Sequence, residues 1–149
     1  MGPDTVQAEE VDTRNEHLSG LEHVETGIPF ETRMIELPSG ELITGTFPVF
    51  ESQFSVVVAE EMYLESDAKH FSIANDTLWQ SIENNPGLSG DLGLSDYDVQ
   101  TLAAGNTPVG YDWHHHEQPG VLQLVEEDIH QNTGHTGGRE IWGGGSEYR

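Results

Sequence analysis

The chain has no cysteine, a single lysine (Lys69) and no apolar run approaching the ~20 residues that a membrane-spanning helix needs. The missing thiols exclude a disulfide scaffold, a thiolate metal site and a cysteine nucleophile. The opening residues lack the basic-then-apolar pattern of a signal peptide. Cations are scarce throughout: Arg14, Arg33, Lys69, Arg139 and Arg149 stand against 27 Asp and Glu, a formal net charge of −22. A surface of that sign repels polyanions, so nucleic-acid binding through a broad basic patch is disfavoured at ordinary salt.

What remains is a chain of 149 residues, long enough for one domain with its own core. Its acids are interspersed with apolar residues rather than gathered in one block, which argues against a single acidic tail. Acid excess with almost no lysine is the composition of a surface adapted to concentrated salt, where hydrated carboxylates keep a protein soluble. We therefore read the chain as halophilic.

Residues 1–27 are polar, acidic and without sustained periodicity, and they read as a disordered lead-in or linker. Residues 28–149 read as the folded domain, starting at Ile28-Pro29-Phe30. Thr32–Leu37 and Leu42–Phe47 flank Pro38-Ser39-Gly40-Glu41, a hairpin signature, and Phe54–Val58 gives a third strand rich in β-branched residues. Ser66 is a helix N-cap, with Phe71, Ala74, Leu78 and Ile82 as the apolar stripe, Trp79 broadening it, and Asn84-Asn85-Pro86-Gly87 as the stop. A second helix starts at Ser95 with Tyr97, Val99 and Leu102 inward, and ends at Gly105. The fold class is α+β, small antiparallel strands plus helices.

Five of the eight histidines fall between residues 114 and 135. Tyr111–His116 reads as a strand, Glu117-Gln118-Pro119-Gly120 as a tight turn, Val121–Val125 as a second strand and Glu126–Gln131 as a short helix. The turn folds the second strand back, so the helix can bring His130 beside the end of the first strand. Neighbouring His114 and His115 point to opposite sides of a regular strand, which can aim one at a metal and the other at a water. A three-histidine run is also the mark of an expression tag, but tags are longer and terminal. His17, His23 and His70 lack such company and read as ordinary polar residues. Trp113 and Trp142 read as packing anchors.

Trp113-His114-His115, then Leu122-Gln123-Leu124-Val125, Ile129-His130 and Gly134-His135-Thr136-Gly137-Gly138, resemble the WHH-type nucleases of the HNH/endonuclease VII (His-Me finger) superfamily. These often form the C-terminal toxin domain of bacterial polymorphic toxins. The resemblance covers about residues 107–146 and implies a ββα-metal finger there. It implies a metal-dependent endonuclease hydrolysing phosphodiester bonds in DNA or RNA, with His115 as the general base. His114 and His130 would hold one divalent metal ion, and His135 is either a further ligand or a donor to the phosphate. The superfamily usually places an asparagine ahead of the second strand to orient the base. Val121 stands nearest here, which leaves Gln123 a candidate for that role or for a substrate contact, and Arg139 a candidate phosphate contact. His116 has no counterpart in the pattern.

Imidazoles without thiolate suit Zn²⁺, Ni²⁺, Mn²⁺ or Mg²⁺ with water, and Asp112 or Glu117 could lend an oxygen. As implied partners the resemblance adds a nucleic-acid substrate, a cognate immunity protein and an upstream delivery region. It implies a secreted or delivered effector acting in a target cell's cytoplasm. The alternative reading is a non-enzymatic acidic binding protein with a structural histidine–metal site. Such a site closes with four ligands, whereas a nuclease leaves one histidine unliganded beside an open position.

The charge generates a prediction. The Debye length drops from ~10 Å at 0.1 M salt to ~3 Å at 1 M, which screens both self-repulsion and repulsion of a polyanion. Melting temperature and cleavage rate across a KCl series are expected to rise together up to roughly 1 M, the reverse of the usual salt dependence of phosphate binding. A flat melting temperature with steadily falling cleavage would remove the halophilic reading.

Overall fold

The structure, a computed structural model, describes residues 8–149. It is an α+β domain whose described residues form two three-stranded sheets and five α-helices. The first sheet contains β1 (Glu9–Glu10), β2 (Phe30–Glu36) and β3 (Leu42–Pro48) in the order β1-β3-β2. The second contains β4 (Ser55–Val57), β5 (Tyr111–His115) and β6 (Val121–Glu126) in the order β4-β6-β5, antiparallel throughout. The helices are α1 (Asp67–Asn84), α2 (Gly87–Asp91), α3 (Asp96–Ala103), α4 (Glu127–Asn132) and α5 (Gly138–Ile141).

Local chemistry accounts for most of these elements. The β2–β3 turn closes through Gly40, whose φ of 89° suits a residue without a Cβ. Ser66 caps α1 by accepting from the Lys69 N–H at 3.2 Å. Ser95 and Asp98 form a reciprocal capping box at α3, each side chain accepting from the other's backbone N–H. Leu102 of α3 is buried as the pattern expects, but Tyr97 is exposed rather than inward, because the helix meets α1 along its other side. The short α2, between Pro86 and Leu92, was not legible in the pattern.

The main core lies between α1 and one face of the second sheet. Ala74, Leu78 and Ile82 pack with Leu102, Val56, Leu122, Leu124, Trp113 and Trp142. Both tryptophans are anchors, and their indole N–H groups are satisfied in the interior: Trp113 donates to Asn75 Oδ1 and Trp142 to the His116 carbonyl, each at 2.7 Å. On the sheet's other face a smaller cluster of Ile28, Phe50, Val125 and Ile129 seats α4. Ile35, Ile43 and Phe47 bury the hairpin of the first sheet.

The expected lead-in at 1–27 lies outside the described residues for positions 1–7. Positions 8–27 depart from it, because they are stitched to the body by hydrogen bonds. β1 pairs in parallel with β3, Thr13 Oγ1 accepts from the Thr46 N–H, Arg14 N–H donates to Thr136 Oγ1 at 2.9 Å, and Asn15 Nδ2 donates to the Gly134 carbonyl at 2.6 Å. The last two contacts join residues more than a hundred positions apart, and none of the four is local, so no local period announces them. Among the described residues no helix is long and apolar enough to cross a membrane.

Gly138 offers a test of the packing around the hairpin. A Cβ there would collide with the His116 carbonyl and with Trp142 Nε1, the two ends of one hydrogen bond. Gly138→Ala is expected to cost about 1–3 kcal/mol, a fall in melting temperature of several degrees by differential scanning calorimetry. An unchanged melting temperature would mean that the α5 segment is not packed as described.

Candidate functional site

The site is built on the end of β5. His114 pairs across the ladder with Gln123 and His115 with Leu122. Directly opposed residues share a face, so His114 and Gln123 project to one side, and His115 and Leu122 to the other. Leu122 belongs to the core under α1, so His115 faces α1 and His114 faces α4. Gln123 therefore cannot orient His115. It also does not line the cavity described below.

On the α4 side, His114, His130 and His135 each offer a ring nitrogen within 4.8 Å of the others. Two of the three rings are held from behind. His130 Nδ1 lies 2.9 Å from Asp112 Oδ2, and His135 Nδ1 donates to the Thr133 carbonyl at 2.7 Å. Those bonds leave the Nε2 atoms of His130 and His135 facing inward, where His130 Nε2 lies 3.3 Å from His114 Nδ1. Phe50, from the loop after β3, stands edge-on to all three rings, with centroids 4.8 to 5.3 Å away, and closes the apolar side of the cluster. His114 Nε2 is buried and has no hydrogen-bond partner among the described residues. A buried polar nitrogen without a partner is costly unless something else satisfies it. Burial, then the neighbouring His135 and His130, hold His114 well below the usual histidine range, and burial lowers His135 to about 4. Neutral imidazoles that converge, with carboxylate and carbonyl groups behind them, are the donor set that a divalent cation takes.

On the α1 side, His115 Nε2 lies 3.0 Å from His70 Nδ1 and 3.7 Å from Asp67 Oδ1. Burial and then the Arg139 guanidinium lower the His115 pKa, while Asp67 acts to raise it. Arg139 is 1 % exposed. Its Nη2 donates to Asp67 Oδ1 at 2.7 Å and lies 2.9 Å from His70 Nδ1, and its Nη1 donates to the Glu65 and Gly143 carbonyls. The expected phosphate contact is thus a buried arginine whose N–H groups already have partners. Arg149, at 54 % side-chain exposure, is the more open cation, 3.6 Å from Asp67 Oδ2.

The two sides meet at a cavity of about 170 Å³ lined by His114, His115, His130, His135, Gly137, Arg139 and Arg149. His116 stays out of it. Its Nδ1 accepts from the Gln118 N–H and its Nε2 lies 3.3 Å from the buried Glu117 carboxylate, which Arg33 Nε approaches at 3.3 Å. Asp112 and Glu117, considered as oxygen ligands, instead buttress His130 and pair with Arg33 and His116.

Sequence reasoning missed three members. His70 read as an ordinary polar residue, yet it is fully buried against His115. The available signal was its spacing: 70, 74, 78 and 82 repeat every four residues along the buried stripe of α1. Asp67, in the first turn of the same helix, gave no sign beyond favouring the N-terminal end of a helix. Phe50 sits in a loop and gave none.

Convergent histidines on a hairpin and its following helix, within a small mixed α+β fold, fit a nuclease domain. Comparison with known proteins agrees: the chain belongs to the family of DNase/tRNase domains of colicin-like bacteriocins, whose family model matches residues 39–137. No curated protein and no solved structure matches it. The chain is accordingly a nuclease toxin domain with nucleic acid as its substrate. The matched span holds His70, His114, His115, His130 and His135, while Arg14, Arg139 and Arg149 lie beyond it.

Asp112 tests the donor set. Removing a charge that orients a ligating imidazole typically costs about 10- to 100-fold in metal affinity. Asp112→Asn is expected to weaken binding of Zn²⁺ or Ni²⁺ by that order in calorimetric titration, with an unchanged melting temperature of the metal-free protein. Affinity equal to wild type would mean that His130 is not a ligand.

Proposed function

We propose that the chain is a metal-dependent endonuclease of the WHH type, in the HNH/endonuclease VII (His-Me finger) superfamily, acting as the toxin domain of a polymorphic toxin. It hydrolyses phosphodiester bonds in DNA or RNA. The observation that carries this reading is the division of His114 and His115 between two faces of β5, one joining a triad of imidazoles and the other lining the same cavity from outside that triad, beside His70 and Asp67. A structural staple needs no further histidine at the cavity outside its ligand set.

His114, His130 and His135 would hold one divalent ion, with Asp112 and the Thr133 carbonyl fixing the rings. Bound there, the ion would neutralise the scissile phosphate and stabilise the leaving oxygen. His115, neutral because it is buried beside Arg139, is in the protonation state that accepts a proton from the attacking water. Phe50 shields the triad's far side from solvent. Arg139 braces the groups behind the base, Asp67 and His70, and Arg149, exposed at the rim, is placed to meet a phosphate of the substrate. Three of the chain's five cations, Arg14, Arg139 and Arg149, gather around His115 and His135. That local concentration offsets part of the repulsion that a charge of −22 imposes on a polyanion, and salt screens the rest.

A toxin of this kind has a cognate immunity protein that protects the producing cell, and an upstream delivery region that brings the nuclease domain into the cytoplasm of a target cell. Incubation with plasmid DNA and with total RNA, at low and multi-molar salt, with and without chelator, tests the assignment. Cleavage of either substrate that the chelator abolishes supports it. No cleavage of either under any metal or salt overturns it in favour of a binding protein with a structural metal.

His115→Ala is expected to lower cleavage by at least about 10²-fold, while metal affinity and melting temperature stay near wild type. Lost metal binding in this variant would exchange the roles of His114 and His115.

A further inference from the structure

The hydrogen bonds behind His115 determine which of its nitrogens carries the proton. His70 Nε2 lies 2.7 Å from the Met62 carbonyl oxygen. A carbonyl only accepts, so Nε2 carries the hydrogen, and in a neutral ring the lone pair is then on Nδ1. Burial, the largest influence on His70, favours that neutral ring. Arg139 Nη2, 2.9 Å from His70 Nδ1, is a guanidinium nitrogen and can only donate, which agrees with a lone pair there. His115 Nε2 lies 3.0 Å from the same Nδ1. Arg139 Nη2 also lies 3.5 Å from His115 Nε2, but its two hydrogens go to the nearer Asp67 Oδ1 and His70 Nδ1. Two lone pairs facing each other at 3.0 Å would repel, and the Asp67 carboxylate beside His115 Nε2 only accepts, so the hydrogen between the rings is on His115 Nε2.

The other nitrogen of His115 is then the basic one. Nδ1 makes no hydrogen bond among the described residues, and His115 lines the cavity shared with His114, His130 and His135. We propose that His70 is a positioning residue that locks His115 in its Nε2–H tautomer, so that Nδ1 is the nitrogen that takes the proton in catalysis. This rests on the reading of His115 as the general base. In that step the O–H bond of the water breaks as Nδ1–H and the new P–O bond form. The leaving oxygen departs with its electron pair and is protonated by solvent. The resulting imidazolium keeps its Nε2–H on His70, with the Asp67 carboxylate 3.7 Å away to balance the charge.

The arrangement assigns α1 a part in the chemistry although no atom of His70 lines the cavity. It also fills the position that an asparagine ahead of the second strand would otherwise serve, and fills it from a different element.

Long-range ¹H–¹⁵N spectra of uniformly labelled, chelator-treated protein test this without any substrate, with the rings assigned from His70→Asn and His115→Asn. Both His70 and His115 are expected as Nε2–H tautomers, and an Nδ1–H tautomer of either ring in the wild type overturns the proposal. In steady-state cleavage, His70→Leu is expected to lower kcat by about 10- to 100-fold, with KM and metal affinity unchanged. His70→Asn, whose Oδ1 can accept where Nδ1 did, is expected to recover most of the loss. A well-folded His70→Leu protein with wild-type kcat would also overturn it. Should His70→Leu fail to fold, the wild-type tautomer decides. A protein that cleaves no nucleic acid fails the functional assignment, whereas the tautomer measurement stands or falls by itself.

Discussion

The alternation of side chains along β5 sets the terms for everything around it. A strand sends neighbouring residues to opposite faces, so His114 and His115 cannot share one environment. Each is completed by a different helix: α4 and the loop after it bring His130 and His135 to His114, and α1 brings His70 to His115. The strand end is also where the two faces come within reach of one cavity. Adjacent positions in the chain therefore supply two distinct chemistries across a short distance.

Such a site concentrates buried polar groups, and they are satisfied as a network. Asp67, His70, His115 and Arg139 share donors and acceptors so that one guanidinium serves a carboxylate, two backbone carbonyls and an imidazole. Burying that arginine costs desolvation, which only this dense set of partners offsets. The network ties α5 to the start of α1, so the C-terminal segment closes the site from one end. The N-terminal segment closes it from another, where Arg14 and Asn15 bond the turn around Gly134–Thr136 that carries His135.

The molecule and its substrate carry charge of the same sign, and the fold answers locally. Arg33 is drawn to Glu31 and the buried Glu117 on the far side of the hairpin turn. Arg14, Arg139 and Arg149 surround the histidines. In a medium where screening reaches only a few ångströms, near charges outweigh distant ones, so placement matters more than the total.

By itself the sequence determined what is local. Turn residues, N-caps and short-range periodicity specified the β2–β3 hairpin, α1, α3 and the β5–β6 hairpin with α4, because each of those signals acts within a few residues. Strand alternation likewise determined that His114 and His115 part company. Only the tertiary structure decided what each of them meets. His70, Asp67 and Phe50 join the site from more than forty residues away, the chain before Ile28 is bonded to the body, and Gln123 falls on the face away from His115. Those outcomes depend on how α1 lies on the second sheet and how the termini fold over it. Packing of that kind buries surfaces distant in sequence, and no pattern within a window of residues records it.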